Sequence, residues 1–271
     1  MERSAGRSDI VVGLIDGPVA TDLVALAKAR VHRLSNEPDK LFSDSAARRH
    51  GTFVAAMLCA ARGGAAPGLC PACTFVHFVI FEPGSGDNGV PSADSRLLAD
   101  GIVECVNAGA EVINMSVAGA PSATTDRRLA DALTYAMHRR VLVVAAAGND
   151  GTFASSTITR HPGVVPVVAC DREGRPLPSS NLAGSIGRRG IGAPGDRITG
   201  LDLDGGTIVR SGTSVAAPFV TGAIALLRSL SPTTPPIEVL AALRRASGRG
   251  RRLLMPPLLN ASAAMAGLTS T

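Results

Sequence analysis

Tryptophan is absent from this sequence, tyrosine occurs once, and aromatic residues make up only 3% of its 271 positions. So few rings leave no stacking platform of the kind that holds single-stranded nucleic acid. The core must be built from Ala, Val, Leu and Ile. Strong charge of one sign is also missing, since 27 Lys and Arg against 22 Asp and Glu leave a formal net charge of +5. The densest basic patch is Arg244, Arg245, Arg249, Arg251 and Arg252. It follows a predicted helix and reads as a solvated helix end, so no nucleic-acid partner is expected. No apolar run approaches a membrane span, and Met1 to Asp9 is too polar for a secretory signal. No membrane partner is expected, and a cytoplasmic location follows as the expectation.

Cysteine is scarce and odd in number, at five, which excludes a full disulfide framework and suits a reducing compartment. Cys59, Cys105 and Cys170 lie in apolar contexts and read as small core residues. Cys70-Pro71-Ala72-Cys73 reads as a local disulfide or a pair of free thiols. A single Cys-x-x-Cys, even with His77 near, is weak support for zinc.

What is present suits one enzyme-sized domain over residues 1–271, with 45% hydrophobic residues and many turns from 30 Gly and 18 Pro. Apolar runs predict strands near 10–15, 74–81, 111–116, 141–147 and 164–169. Helices near 51–61, 92–108 and 124–139 alternate with them. That alternation predicts an α/β fold, a mostly parallel central sheet with helices on both faces. Residues 171–210 read as turns and short strands, and helices near 214–230 and 236–246 follow.

Three segments carry chemistry. In Ser211-Gly-Thr-Ser-Val-Ala-Ala-Pro-Phe-Val-Thr-Gly222, Ser214 stands between a small-residue turn and a helix-forming run. Unpaired N–H groups and the macrodipole favour developing negative charge there, a suitable place for a nucleophile. Serine is also a good N-cap, so the segment alone leaves both readings open. Asp16 ends the apolar run Ile10–Ile15, at the strand end where catalytic groups gather in α/β sheets. His50 opens the helical stretch His-Gly-Thr-Phe-Val-Ala-Ala-Met-Leu. Serine is a poor nucleophile until a neutral histidine takes its proton, and a carboxylate must hold that histidine in the right tautomer. Asn149, after the predicted strand 141–147, could donate to an oxyanion, although Asn-Asp-Gly is also ordinary turn chemistry.

Taken in order, Val-Gly-Leu-Ile-Asp16-Gly, His50-Gly-Thr-Phe-Val-Ala, Val-Ile-Asn-Met-Ser116, Ala-Ala-Gly-Asn149-Asp-Gly and Ser-Gly-Thr-Ser214-Val-Ala-Ala-Pro resemble the subtilisin-like serine proteases, the subtilases. The resemblance runs from about residue 10 to residue 230 and keeps the subtilisin order Asp, His, Ser. It implies a three-layer subtilisin-like fold and a serine endopeptidase with an Asp16, His50, Ser214 triad. Asn149 would complete the oxyanion hole with the Ser214 N–H, a donor that on subtilisin itself is worth about 2.7–4 kcal/mol. Ser116, Val117, Ala118 and Gly119 would pair with extended peptide substrate and, with Ala147, shape a pocket of small neutral walls. No cofactor is implied. The family often binds calcium through an Asn- and Asp-rich loop after the catalytic-histidine helix. Here Ala60 to Pro67 offers no such ligand, so no metal site is expected.

The departures narrow the resemblance. Most subtilases follow the catalytic Asp with Ser or Thr; Gly17-Pro18-Val19 follows here and looks like the proteases that mature cyanobactins and related ribosomal peptides. Ala118 replaces the usual glycine, and Val215 stands where many relatives have methionine. Two rival readings stay in view. One is a catalytically silent peptide-binding pseudoprotease. The other is a dinucleotide-binding oxidoreductase, suggested by Gly84-Ser-Gly-Asp-Asn-Gly89 after a predicted strand. Val90 and Pro91 separate that run from its helix, which fits a polar loop better. His32, His77, His138 and His161 have no matched partners in sequence and read as surface or core histidines.

Overall fold

The computed structural model describes residues 4–34, 46–80, 94–117, 126–246 and 254–269. In chain order the elements are β1 (Val11–Asp16), a 3-10 turn (Val24–Leu26), β2 (Arg30–Arg33), α1 (Ala46–Cys59), β3 (Thr74–Val79), α2 (Ser95–Asn107), β4 (Val112–Met115), α3 (Arg127–His138) and β5 (Leu142–Ala146). There follow α4 (Thr157–Arg160), β6 (Val164–Cys170), α5 (Gly184–Arg189), β7 (Ile191–Pro194), β8 (Ile198–Leu201), β9 (Thr207–Arg210), α6 (Thr213–Leu230), α7 (Pro236–Ala246) and α8 (Ala261–Thr269).

Seven strands form one sheet in the order β2-β3-β1-β4-β5-β6-β7, and every pairing is parallel. The central strands are continuous apolar runs because helices cover both faces. Alternation along each strand sends its side chains into two cores. Val12, Leu14 and Val144 pack with Phe53 and Leu58 of α1 and Val220 and Ile224 of α6. Ile15, Ile113 and Val143 pack on the other face with Leu98 and Ile102 of α2 and Leu129 and Leu133 of α3. The β8–β9 hairpin is a separate antiparallel pair laid over α1.

Five predicted strands appear close to where periodicity put them, and α2, α3, α6 and α7 do too. Asp94 and Asp126 cap α2 and α3 by accepting from main-chain N–H groups. Other expectations need correction. α1 begins at Ala46, so His50 is its fifth residue and not its first. The Ala46-Ala47-Arg48-Arg49 run extends the helix by propensity, with no apolar period to announce it. β2 is a polar edge strand, Arg-Val-His-Arg, which hydrophobic patterning passes over. Residues 171–210 also include the short helix α5. Arg244 is not a solvated helix end: it is part-buried and donates to the carbonyl of Arg189. Arg249, Arg251, Arg252 and the Gly84–Gly89 run lie outside the described residues.

α6 is long and apolar enough to cross a membrane by length and composition, yet 72% of it is buried inside the protein. It is a core helix. Its interior proline, Pro218, sits one turn from its start.

Candidate active site

β1, β4 and β5 are consecutive neighbours in the sheet, so their carboxyl ends share one rim. Asp16 ends β1, Ser116 follows β4, and Asn149 follows β5 by three residues. α1 supplies His50 and the first turn of α6 supplies Ser214.

Asp16 is fully buried. Its Oδ1 accepts the Gly17 N–H at 2.6 Å and stands 2.7 Å from His50 Nδ1. A carboxylate only accepts, so Nδ1 carries the proton and Nε2 presents the lone pair, as a general base requires. Among the described residues Asp16 Oδ2 is buried without a partner. Burial is the strongest influence on His50 and by itself would lower its pKa. The Asp16 charge and hydrogen bond outweigh it, with Arg210 opposing them, and the net result lies above the ordinary 6.5.

The glycine after Asp16 has a structural cause. A Cβ on Gly17 would lie 2.0 Å from the carbonyl oxygen of Ala47, and one on Gly51 would lie 2.3 Å from the Gly17 oxygen. β1 and α1 therefore touch backbone to backbone, which brings His50 down onto Asp16. His77, buried in β3, donates from Nε2 to the Gly17 oxygen at 2.9 Å and holds this turn in place. Sequence reading left His77 without a partner; only the strand order brings the two together.

Gly212 takes φ +135 to turn the chain into α6, leaving Ser214 as the second helical residue. The serine is thus not the N-cap. Its N–H is among the first-turn amides that helix geometry leaves without an intrahelical acceptor. Asn149 Oδ1 accepts both the Thr213 N–H, at 2.9 Å, and the Thr213 hydroxyl, at 3.1 Å. With the oxygen fixed by a main-chain donor, the amide NH2 is the end left to donate. Thr213 Oγ1 in turn accepts the Gly148 N–H at 3.2 Å. Thr213 carries no motif signal beyond its place beside Ser214, and sequence reading missed its part.

Pro218 has no N–H, so the Ser214 carbonyl four residues earlier loses its helical partner. The Ser116 hydroxyl replaces it, donating at 3.0 Å. Ser116 accepts from Asn114 Nδ2 at 2.8 Å, and Asn114 Oδ1 accepts from Thr221 at 2.9 Å. This chain ties β4 to the first and third turns of α6, at Ser214 and Thr221. The Ser116 side chain is therefore committed to Ser214, and only its main chain remains for substrate. Val117 is half-buried, Ala147 is buried, and Ala118 and Gly119 lie outside the described residues.

No group of three or more His, Cys, Asp or Glu is placed to hold a metal among the described residues. In the loop after α1, Arg62 Nη2 donates to the Ser4 oxygen at 2.6 Å and the Leu69 oxygen at 2.7 Å. All five cysteines are free and buried. Burial pushes Cys59 and Cys105 up to about 12 and Cys170 to about 11.

The profile of the subtilase family matches residues 7–262, nearly the whole chain. The chain belongs to the subtilase family. Fervidolysin of Fervidobacterium pennivorans is 30% identical over 212 residues, 70% of this chain and 30% of the relative. The subtilase described here spans less than half the length of the curated relatives it matches most strongly. Among solved structures, a mutant of the protease domain of PatA, a patellamide maturation protease, superposes with a TM-score of 0.91 at 33% identity. That match covers 100% of this chain and 98% of the other. The prenylagaramide maturation protease PagA superposes with a TM-score of 0.86 at 29% identity, over 98% of this chain and 96% of the other. The sheet and its covering helices are thus the subtilisin-like α/β fold.

Proposed function

We propose that this subtilase is a serine endopeptidase, a single peptidase domain over 1–271 that processes peptides through an acyl-enzyme. In the first step His50 Nε2 takes the proton of Ser214 Oγ as the oxygen attacks the scissile carbonyl carbon. Asp16 holds the imidazole and stabilises its charged form. The Asn149 NH2 and the Ser214 N–H stabilise the oxyanion. His50 then gives its proton to the departing amine, and water, activated by the same base, hydrolyses the ester. The observation that carries the reading is the 2.7 Å Asp16–His50 contact at the sheet rim to which Ser116 and Asn149 fasten the first turn of α6, the turn that holds Ser214.

The substrate class follows as part of the same proposal. PatA and PagA are described as maturation proteases, and PatA is 33% identical over almost all of both chains. With the Asp16-Gly17-Pro18-Val19 segment, this supports a processing role on precursors of modified ribosomal peptides. Five free thiols suit the cytoplasm. Ser116, Val117 and Ala145 to Ala147 offer no carboxylate, so a neutral, small-to-medium residue is expected before the scissile bond.

Incubation with a mixed peptide library and with unfolded casein, followed by mass mapping of the cut sites, tests this. Cleavage after small neutral residues at few sites, lost in Ser214→Ala, is the expected result. No turnover of any peptide would favour a silent binding protein, and dense unrelated cuts in casein would remove the processing role.

A further inference from the structure

Strand β9 places an arginine, Arg210, that has no carboxylate partner among the described residues. Alternation along β9 leaves Thr207 and Val209 exposed and turns Ile208 and Arg210 inward, toward α1. The guanidinium carbon of Arg210 lies 5.8 Å from the centre of the Phe53 ring. Phe53 and His50 are three residues apart on α1 and so share one face of that helix. Arg210 is therefore a neighbour of the catalytic base, and its charge is felt there, opposing the rise of the His50 pKa. Its Nε is buried without a partner among the described residues. The nearby hairpin carboxylates are engaged elsewhere. Asp202 holds Arg49 at 3.1 Å, Asp204 caps its own turn through the Gly206 N–H, and Asp196 accepts from Ser211. A half-buried cation with an unpartnered Nε–H and no carboxylate beside it costs stability, and a ligand carboxylate would offset that cost.

The side of the site is set by the two cores. Val117, on the segment expected to pair with the acyl part of the substrate, packs with the α2 and α3 face. Ile198, Leu201 and Ile208 of the hairpin pack with the α1 and α6 face. Asp16 ends β1 in the sheet, while α1 and α6, which carry His50 and Ser214, lie on the hairpin's face. The departing amine must pass His50 to receive its proton, so the chain beyond the scissile bond leaves on the Arg210 side.

We propose that Arg210 is a specificity-determining residue that binds a carboxylate on the first or second residue beyond the scissile bond. The proposal rests on the proteolytic reading above and adds the chemistry of the leaving segment to it. The carboxylate can come from an Asp or Glu side chain or from the free C-terminus of a short leaving peptide.

Internally quenched peptides with a common acyl side separate these sources. One set carries Glu, Gln or Lys at each of the two positions and is amidated at the C-terminus. A second pair ends two residues after the scissile bond as a free acid or an amide. Wild-type protein is expected to favour Glu over Gln, or acid over amide, by about tenfold in kcat/KM, the scale of one charge-assisted contact. In Arg210→Gln that ratio falls to about one, Arg210→Lys keeps most of it, and Arg210→Glu reverses it toward Lys. Added salt should shrink the wild-type ratio. In Arg210→Gln the acid limb of the pH profile should also move to higher pH, because a charge that lowers the His50 pKa is gone. Flat wild-type ratios in both sets, or a ratio surviving in Arg210→Gln, overturn the proposal. Fluorophosphonate labelling of the same preparations separates the two readings. A labelled enzyme with flat ratios defeats Arg210 selectivity alone, and an unlabelled one defeats the proteolytic reading and this proposal with it.

Discussion

His50 is held between opposing influences, and the outcome is measurable. Burial and Arg210 push its pKa down while Asp16 pushes it up, leaving it above 6.5. The base must be neutral to accept the Ser214 proton. Activity should therefore rise with pH through a midpoint above 6.5, since the protonated imidazole persists to higher pH than an unperturbed one. Asp16→Asn removes both upward influences, so the midpoint of its residual activity should fall. A wild-type kcat/KM profile with its acid midpoint well below 6.5 would contradict the geometry. Asn149 allows a second test at this scale. Asn149→Ala should lower kcat by about 10²–10³ with KM little changed, because the donor acts only as charge develops. Thr213→Val keeps the donor but frees Asn149 Oδ1 from the hydroxyl, and a loss of roughly three- to tenfold is expected. Equal losses in the two variants would mean that Asn149 is not the donor.

Between elements, one proline sets the demand that one serine meets. Pro218 leaves the Ser214 carbonyl without its helical N–H, and Ser116 supplies the missing donor across to β4. Ser116→Ala should cost about 1–3 kcal/mol, the scale of a buried acceptor left unpaired, and should lower kcat as well. A variant with unchanged Tm and unchanged kcat would show that the bond does not matter. This scale also separates what the chain reveals from what it hides. Asp16, His50, Ser214 and Asn149 stand out as candidates through the order of motifs that resembles the subtilases, since alone the Ser214 and Asn149 segments also read as an N-cap and a turn. Thr213 and His77 do not, since each acts through a partner distant in sequence, Asn149 or Gly17. The start of α1 and the strand β2 are hidden for another reason: Ala-Ala-Arg-Arg and Arg-Val-His-Arg have no apolar period to read. Gly17 was legible as a departure but not as a necessity, which needed the Ala47 carbonyl against it.

Across the whole molecule, a guanidinium joins segments that a bound cation could otherwise tie together. Arg62 reaches from the loop after α1 to the Ser4 and Leu69 carbonyls, binding the N-terminal segment to the body. That loop, Ala60 to Pro67, contains none of the carboxylate or carboxamide side chains that calcium takes as ligands. A chelator is thus expected to leave Tm unchanged, while Arg62→Gln should lower it, losing charge-assisted bonds of about 1.5–3 kcal/mol each at most. A Tm that falls in chelator would place a needed metal elsewhere.

The central claim is that Ser214 is a nucleophile activated by His50, and covalent labelling reads it directly. A fluorophosphonate forms a phosphorus–oxygen bond to an activated serine and expels fluoride, and the adduct is located by tandem mass spectrometry. The wild type is expected to gain one adduct, on the peptide carrying Ser214, at a rate that rises with pH as His50 loses its proton. Ser214→Ala should gain none, and His50→Ala should label far more slowly. Labelling of Ser214→Ala at the wild-type rate, or a wild-type adduct on another serine, would contradict the account.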